Sequence, residues 1–296
     1  MKDKHSAWSQ YWSANKNSCI GSHEEQKLVD RLWQSWLATI ASGGKVLDLA
    51  TGNGAVIHSM LAAGTSHTFT AVDYADIKPN MNQLSFPENV EFTANIDIAL
   101  LPFSDESFDG ISSQFGFEYA DISKASAELV RVLKKEGRFQ LIVHHQTSEI
   151  LKANITRLDE IAWLIEEQGV IDSAIAYVHG SISQTSLEKI GQEYLSQHHG
   201  KLTKTISGNV FESINQAVLD YYSDNKTRAT QSIKLLQARL QGEFSRLTQL
   251  ADVAMSKDAV DKLVTRFENL GAKADATELK TADELTLGWH LTGSRK

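Results

Sequence analysis

One stretch near the start of the chain, Val46-Leu47-Asp48-Leu49-Ala50-Thr51-Gly52-Asn53-Gly54, limits the fold more than any other. Lys45–Leu49 is apolar, too short for a helix, and reads as a buried strand. It breaks into small residues and restarts as a helical Ala55–Ala63 that Gly64 closes. Strand, small-residue turn and helix in that order place two glycines, Gly52 and Gly54, where backbone N–H groups can approach a ligand. The start of the following helix adds partial positive charge that suits a carboxylate or phosphate. A dinucleotide fingerprint asks for a further glycine three positions after the second. Ile57 stands there, so NAD and FAD are disfavoured.

The unit repeats. Thr68–Val72 reads as a strand ending at Asp73, Val90–Ala94 as a strand leading to Asn95 and Asp97, and a fourth apolar segment starts near Phe108. A helical Ser123–Leu133, Gly137 and a strand Arg138–Val143 follow. Ahead of them all, Leu28, Leu32, Trp33, Trp36, Leu37 and Ile40 mark an amphipathic helix over Glu24–Ala41. Strands alternating with helices predict a mostly parallel sheet covered on both faces. From Thr147 the pattern turns helical, over Thr147–Glu167, Glu212–Tyr222 and Lys226–Met255. A last helix, Asp258–Leu270, ends at Gly271, and Ala276–Lys280 with Leu285–Gly293 make a closing strand pair. Two tandem domains would leave those final strands without a sheet to join. The expected organisation is therefore a helical cap (1–44), a core (45–146), a helical insertion (147–256), and the last helix and strands of the core (257–296).

Composition narrows the function. A chain of 296 residues, 42% hydrophobic and 22% charged, can bury a full interior, and its 3 prolines argue against long extended linkers. A formal charge of -8 disfavours a nucleic-acid partner. No run approaches the ~20 apolar residues that a membrane-spanning helix requires. Cys19, the single cysteine, excludes an intrachain disulfide, and Met1–His5 leads into polar and aromatic residues rather than an apolar signal region. Together they predict a cytoplasmic location. His58, His179, His198 and His199 show no metal-ligand spacing, so no metal is implied, and no serine sits in a nucleophile elbow.

Over about 45–145 and again over 257–296 the chain resembles the class I S-adenosylmethionine-dependent methyltransferases, especially the branch with quinone- and small-molecule-methylating members. The resemblance implies an α/β fold: a Rossmann-like seven-stranded, mostly parallel sheet with a large helical insertion after strand five. It also implies roles. Asp48 would open the loop Ala50-Thr51-Gly52-Asn53-Gly54 and help orient the methionyl ammonium, with Ala50 standing where many members have the first glycine. Asp73, followed by Tyr74, would take both ribose hydroxyls, which suits a carboxylate with two acceptor oxygens. Asn95-Ile96-Asp97-Ile98 precedes Leu101-Pro102-Phe103 and then Ser107-Phe108-Asp109, the most specific match. There Asp97 would accept from the adenine amino group and the Ile98 amide would donate to a ring nitrogen. Gln114, Phe115 and Gly116 would flank the sulfonium and its methyl. Gly288-Trp289 would lie in the last, antiparallel strand. Trp8, Tyr11 and Trp12 share a helix face; in related enzymes such a helix covers the cofactor, and Tyr11 is expected to reach its carboxylate.

The implied activity is methyl transfer from S-adenosylmethionine to an unidentified small molecule, with release of S-adenosylhomocysteine. The donor is already activated, so the protein mainly aligns an acceptor with it. A base is needed only if the acceptor must lose a proton. Glu118, Tyr119, His144 and His145 stand at strand ends where open α/β sheets place ligands, with His144 the first choice and structural roles open for each. The insertion is a substrate lid or a homodimer surface, and its Ile233, Leu236, Ala238, Leu240, Phe244, Leu247, Leu250 and Ala251, which recur at helical spacing, face the core by default, or else a partner subunit or an apolar ligand. Three other functions stay open: a non-catalytic S-adenosylmethionine-binding module, a transferase using a modified sulfonium donor and an extra cation, and a nicotinamide dehydrogenase.

Overall fold

The computed structural model describes residues 2–14, 20, 22–79, 87–200, 202 and 205–296, so Cys19 lies outside the described residues. The chain divides into two compact units, Met1–Leu151 with Gln249–Lys296, and Lys152–Thr248.

The first unit holds the sheet: β1 Lys45–Leu49, β2 Thr68–Val72, β3 Val90–Thr93, β4 Phe108–Gln114, β5 Leu133–His144, β6 Ala272–Lys280 and β7 Thr286–Arg295. Their spatial order is β3-β2-β1-β4-β5-β7-β6. β1 to β5 pair in parallel, and β7 runs antiparallel to both β5 and β6. The seven-stranded, mostly parallel sheet is the one expected. β1 is an interior strand, between β2 and β4, and its apolar run follows from burial on both faces. Strand order reverses between β1 and β4, which opens a crevice at their carboxyl ends.

Alternation along β1 decides what each residue meets. Leu47 and Leu49 pack with Ile111, Phe139 and Leu141 under α4 (Ile122–Val132) and α10 (Lys257–Asn269), which contribute Leu129, Val132, Val260, Leu263 and Phe267. Val46 points to the other face, where α2 (His23–Leu37) lays down Trp33, Trp36 and Leu37 and α3 (Ala55–Leu61) adds Val56, Ile57 and Met60. α2 starts with a capping box: the Ser22 hydroxyl accepts from the Glu25 amide at 3.2 Å, and the Glu25 carboxylate from the Ser22 amide at 3.3 Å. Trp33 is fully buried, so truncating it to alanine is expected to cost ~3–5 kcal/mol.

Two details differ from the pattern read in the sequence. β5 begins at Leu133, directly on the end of α4, rather than at Arg138, and its register shifts between the Phe108–Leu133 and Gly110–Arg138 pairs, with Glu136 at φ +62° inside the irregular stretch. The chain also returns to the sheet before α10. The Met255 amide donates to the His144 carbonyl at 2.8 Å, and its carbonyl accepts from the Gln146 amide at 3.1 Å and the Trp289 indole at 2.9 Å.

The second unit is helical. It comprises α6 (Val170–Val178), α7 (Gln184–Gln197), α8 (Thr205–Tyr222) and most of α5 (Glu149–Ile165) and α9 (Lys226–Val253). α7 is capped by Ser183, whose hydroxyl accepts from the Ser186 amide at 3.1 Å. Inside, fully buried Glu160 accepts from the Ser207 amide at 2.9 Å and its hydroxyl at 2.6 Å. Among the described residues no helix is long and apolar enough to cross a membrane.

Candidate functional site

A cavity of about 620 Å³ opens at the carboxyl ends of β1, β2 and β4, within the range of small-molecule sites. Ala50, Asp73, Tyr74 and Ala75 come from the ends of β1 and β2, and Asp97, Ile98, Ala99 and Leu100 from the loop after β3. Phe115, Gly116, Tyr119, Ala120, Asp121 and Lys124 come from the end of β4 to the start of α4. Trp8 and Trp12 of α1 (Lys2–Ser13) complete the wall.

The loop after β1 folds tightly because Ala50, Gly52 and Gly54 have φ of +53°, +55° and +87°. It is tied to β2 by the Thr51 amide, which donates to the Val72 carbonyl at 3.0 Å, and to itself by the Gly54 amide on the Thr51 carbonyl at 3.0 Å. For alanine the left-handed region costs ~1–2 kcal/mol. Gly116 makes the room: a side chain there would overlap the Ala50 methyl. A side chain at Gly52 would run into the indole of Trp12.

Asp73 joins this loop to β2. Its Oδ2 accepts from the Gly52 amide at 2.7 Å and its Oδ1 from the Ala75 amide at 2.8 Å. Burial pushes its carboxyl up to about 6, against the pull of those amides and of His5. Asp48 is fully buried on the α2 face of β1, outside the cavity wall, and the Ser112 hydroxyl donates to its Oδ1 at 2.7 Å. Burial lifts Asp48 to about 7, the Thr51 and Ser112 hydroxyls oppose this, and Asp73 adds to it.

Asp97 faces the cavity and shapes its own turn. Its Oδ1 accepts from the Ala99 amide at 2.9 Å, its carbonyl from the Leu100 amide at 2.9 Å, and Ile98 is buried beside it. Ile96 packs against the core under α4. Asn95, at φ +63°, serves α1 instead: its amide donates to Asp76 at 3.0 Å and its Oδ1 lies 2.8 Å from His5 Nε2. The Ser9 hydroxyl accepts from the Asp76 amide at 2.9 Å, and the Asn53 side chain donates to the Trp12 carbonyl at 3.0 Å. These contacts hold α1 over the loops.

The residues after β4 separate. Gln114 turns away from the cavity and accepts from the Trp33 indole at 2.7 Å. Phe115, at φ +54°, lines the wall and packs on His144 with ring centroids 4.5 Å apart. Glu118 and His144 lie behind that wall. Glu118 Oε1 accepts from the His144 amide at 2.8 Å and sits 2.6 Å from its Nδ1, with both residues almost fully buried. Tyr119 does line the cavity, edge-on to Trp8 at 5.0 Å. His145 packs on Trp289 at 4.5 Å, and burial lowers its pKa. Tyr11, the expected contact of α1, lies edge-on to Trp8 and Trp12 at 5.6 and 5.0 Å and is not part of the wall. Trp8 and Trp12 stand there instead, four residues apart on one face of α1. Leu100, 79% exposed, and Lys124 also join the wall without a motif to announce them.

Residues 47–141 match the family described as a methyltransferase domain. This core is a class I methyltransferase domain. The chain is 35% identical over 152 residues to the ubiquinone/menaquinone biosynthesis C-methyltransferase UbiE of Bartonella bacilliformis, covering 46% of this chain and 54% of that one. It is 35% identical over 117 residues to the demethylmenaquinone methyltransferase of Clavibacter sepedonicus, covering 37% and 46%. The chain thus spans about half the length of these relatives. For the fold, a solved complex between the Haloferax volcanii Trm112 methyltransferase activator and a methyltransferase aligns over 98% of this chain and 96% of its own, with a TM-score of 0.51 at 14% identity. The methyltransferase domain contains every wall residue from Ala50 to Lys124, while Trp8 and Trp12 reach the cavity from outside it.

Proposed function

We propose that the protein is an S-adenosylmethionine-dependent methyltransferase acting on a small-molecule acceptor. The observation that carries this is Asp73, a buried carboxylate anchored by the Gly52 amide in the wall of a cavity at the strand ends of a methyltransferase domain. The two Asp73 oxygens, held by the Gly52 and Ala75 amides, keep acceptor capacity, which suits two vicinal hydroxyls. Asp97 and the Ile98 amide would hold the base, Tyr74 and Ile98 its flanks, and Gly52 and Ala50 the methionyl end, with Phe115 and Gly116 beside the sulfur. Bound there, the cofactor supplies an activated methyl group, and the protein's part is alignment and exclusion of water.

Tyr119 is the side chain we assign to contact with the acceptor, since its ring lines the cavity, whereas Glu118 and His144 support that wall from behind. The names of the relatives make demethylmenaquinone and related quinone precursors the first acceptors to screen. A modified sulfonium donor would ask for a cation of its own, and Lys124, the basic residue of the wall, lies 3.4 Å from Asp121. We assign the helical insertion, 147–256, to acceptor choice or to self-association, and the protein to the cytoplasm, in keeping with the single cysteine.

Calorimetric titration with S-adenosylhomocysteine tests the proposal. Micromolar binding lost in Asp73→Ala and Asp97→Ala supports it, and a folded wild-type protein that binds neither S-adenosylhomocysteine nor S-adenosylmethionine overturns it.

A further inference from the structure

The wall segment Asp97–Leu100 belongs to neither a strand nor a long helix, so something else must hold it in place. It runs straight into Leu101–Ser107, and that run is bound to the end of α4. Glu128 Oε2 accepts from the Leu101 amide at 2.7 Å, while the Arg131 guanidinium donates to the Leu101 carbonyl at 3.1 Å, so Leu101 is gripped on both sides of its Cα. Arg131 also donates to the Phe103 carbonyl at 2.7 Å and to Asp105 Oδ1 at 2.8 Å. The two clasping residues fix each other through a fork of two bonds, Arg131 Nε to Glu128 Oε1 at 2.7 Å and a terminal nitrogen to Oε2 at 2.8 Å. Main chain completes the grip: the Glu106 amide donates to the Arg131 carbonyl at 3.0 Å and the Ser107 amide to that of Val132 at 2.8 Å. The fork is partly shielded, with side-chain exposures of 31% for Arg131 and 17% for Glu128. Neither residue touches the cavity.

We propose that Glu128 and Arg131 are positioning residues that set base selectivity, by fixing the Asp97–Leu100 turn so that the Asp97 carboxylate and the Ile98 amide keep the spacing of a paired acceptor and donor. The inference rests on the reading that S-adenosylmethionine occupies the cavity. The planar fork of Arg131 serves three acceptors on one loop at once. A lysine, which presents a single ammonium, holds only part of that set. The turn would then stay folded but drift, and what drifts is the fit to the edge of the base.

The test compares S-adenosylhomocysteine with S-inosylhomocysteine, in which the 6-amino group is replaced by oxygen, by calorimetry on the full-length wild type, Arg131→Lys and Glu128→Gln. Thermal melting is followed on the same samples. Lys134→Gln, which breaks the Lys134–Asp109 pair at 2.9 Å away from this loop, is the control for lost stability alone. The expected result is a wild-type preference for the adenosyl ligand that falls at least fivefold in Arg131→Lys, falls less in Glu128→Gln, and is unchanged in Lys134→Gln. Equal weakening of both ligands in Arg131→Lys and Glu128→Gln, or an unchanged preference in both, would overturn the proposal. Failure of folded wild type to bind either ligand would instead overturn the cofactor reading, and the base-selectivity proposal with it.

Discussion

Ala50 and Gly116 contend for one space: the methyl of Ala50, held at φ +53°, lies where a side chain at Gly116 would have to be. The alanine in the loop after β1 is accommodated by a glycine 66 positions later, at the end of the neighbouring strand (116 − 50). Gly116→Ala is therefore expected to destabilise the protein by ~1–3 kcal/mol through overpacking. Ala50→Gly, which also removes the left-handed strain, should restore much of that loss in the double variant. Urea unfolding of the four proteins of this cycle measures the coupling.

Asp48 and Asp73 give ligand-free stability a pH signature. Both carboxyls have folded-state pKa values raised by burial, to about 7 and about 6. Between the unfolded value of 3.8 and those values the folded chain holds protons that the unfolded chain has lost. Their contribution is therefore largest at low pH and is lost as pH rises through that window. In Asp48→Asn, whose amide oxygen can still accept from Ser112, the fall from pH 4 to 7 should be shallower than in wild type. Urea midpoints across that range check it, and parallel curves would count against a raised Asp48.

Glu118→Gln should weaken the fold more than the site. Glu118 Oε1 serves both the amide and the ring nitrogen of His144, and a bond to a charged group contributes ~1.5–3 kcal/mol. A drop of that size in urea unfolding is expected, with S-adenosylhomocysteine affinity within about threefold of wild type. His144→Ala, which empties the space against Phe115, should lower stability further.

Gly52→Ala should act in the opposite way, on the site more than on the core. The new methyl meets the Trp12 indole and strains a φ of +55°, and it disturbs the amide that orients Asp73. At least a tenfold loss of S-adenosylhomocysteine affinity is expected by calorimetry, along with a red shift of tryptophan emission as Trp12 leaves its seat.

β1 and β2 were legible because each is a short, mostly apolar run bounded by small or polar residues, whereas β4 offered only Phe108 and Ile111 among Asp109, Gly110, Ser112, Ser113 and Gln114. Local pattern was silent on which strand residues face the cavity. Asp48 and Gln114 sit at strand ends in the expected motifs, yet strand alternation turns Asp48 toward α2, and Gln114 is claimed by Trp33, 81 residues away. Tyr11 shares a face with Trp8 and Trp12 by spacing, and only packing shows that the two tryptophans meet the cavity. α6 and α7 went unread because Gly169, Gly180 and Gly191 interrupt that stretch, although Ser183 was present as a cap signal.

The pairing of Met255 with His144 and Gln146 closes the base of the long excursion between β5 and α10. The chain comes back to within a single hydrogen bond of the place it left, so whatever is carried between those two points can lengthen, shorten or be exchanged without altering the strand connectivity. Such an arrangement lets one part of a protein evolve quickly while the rest stays fixed. It also makes this junction a natural place to graft a helical segment from another chain.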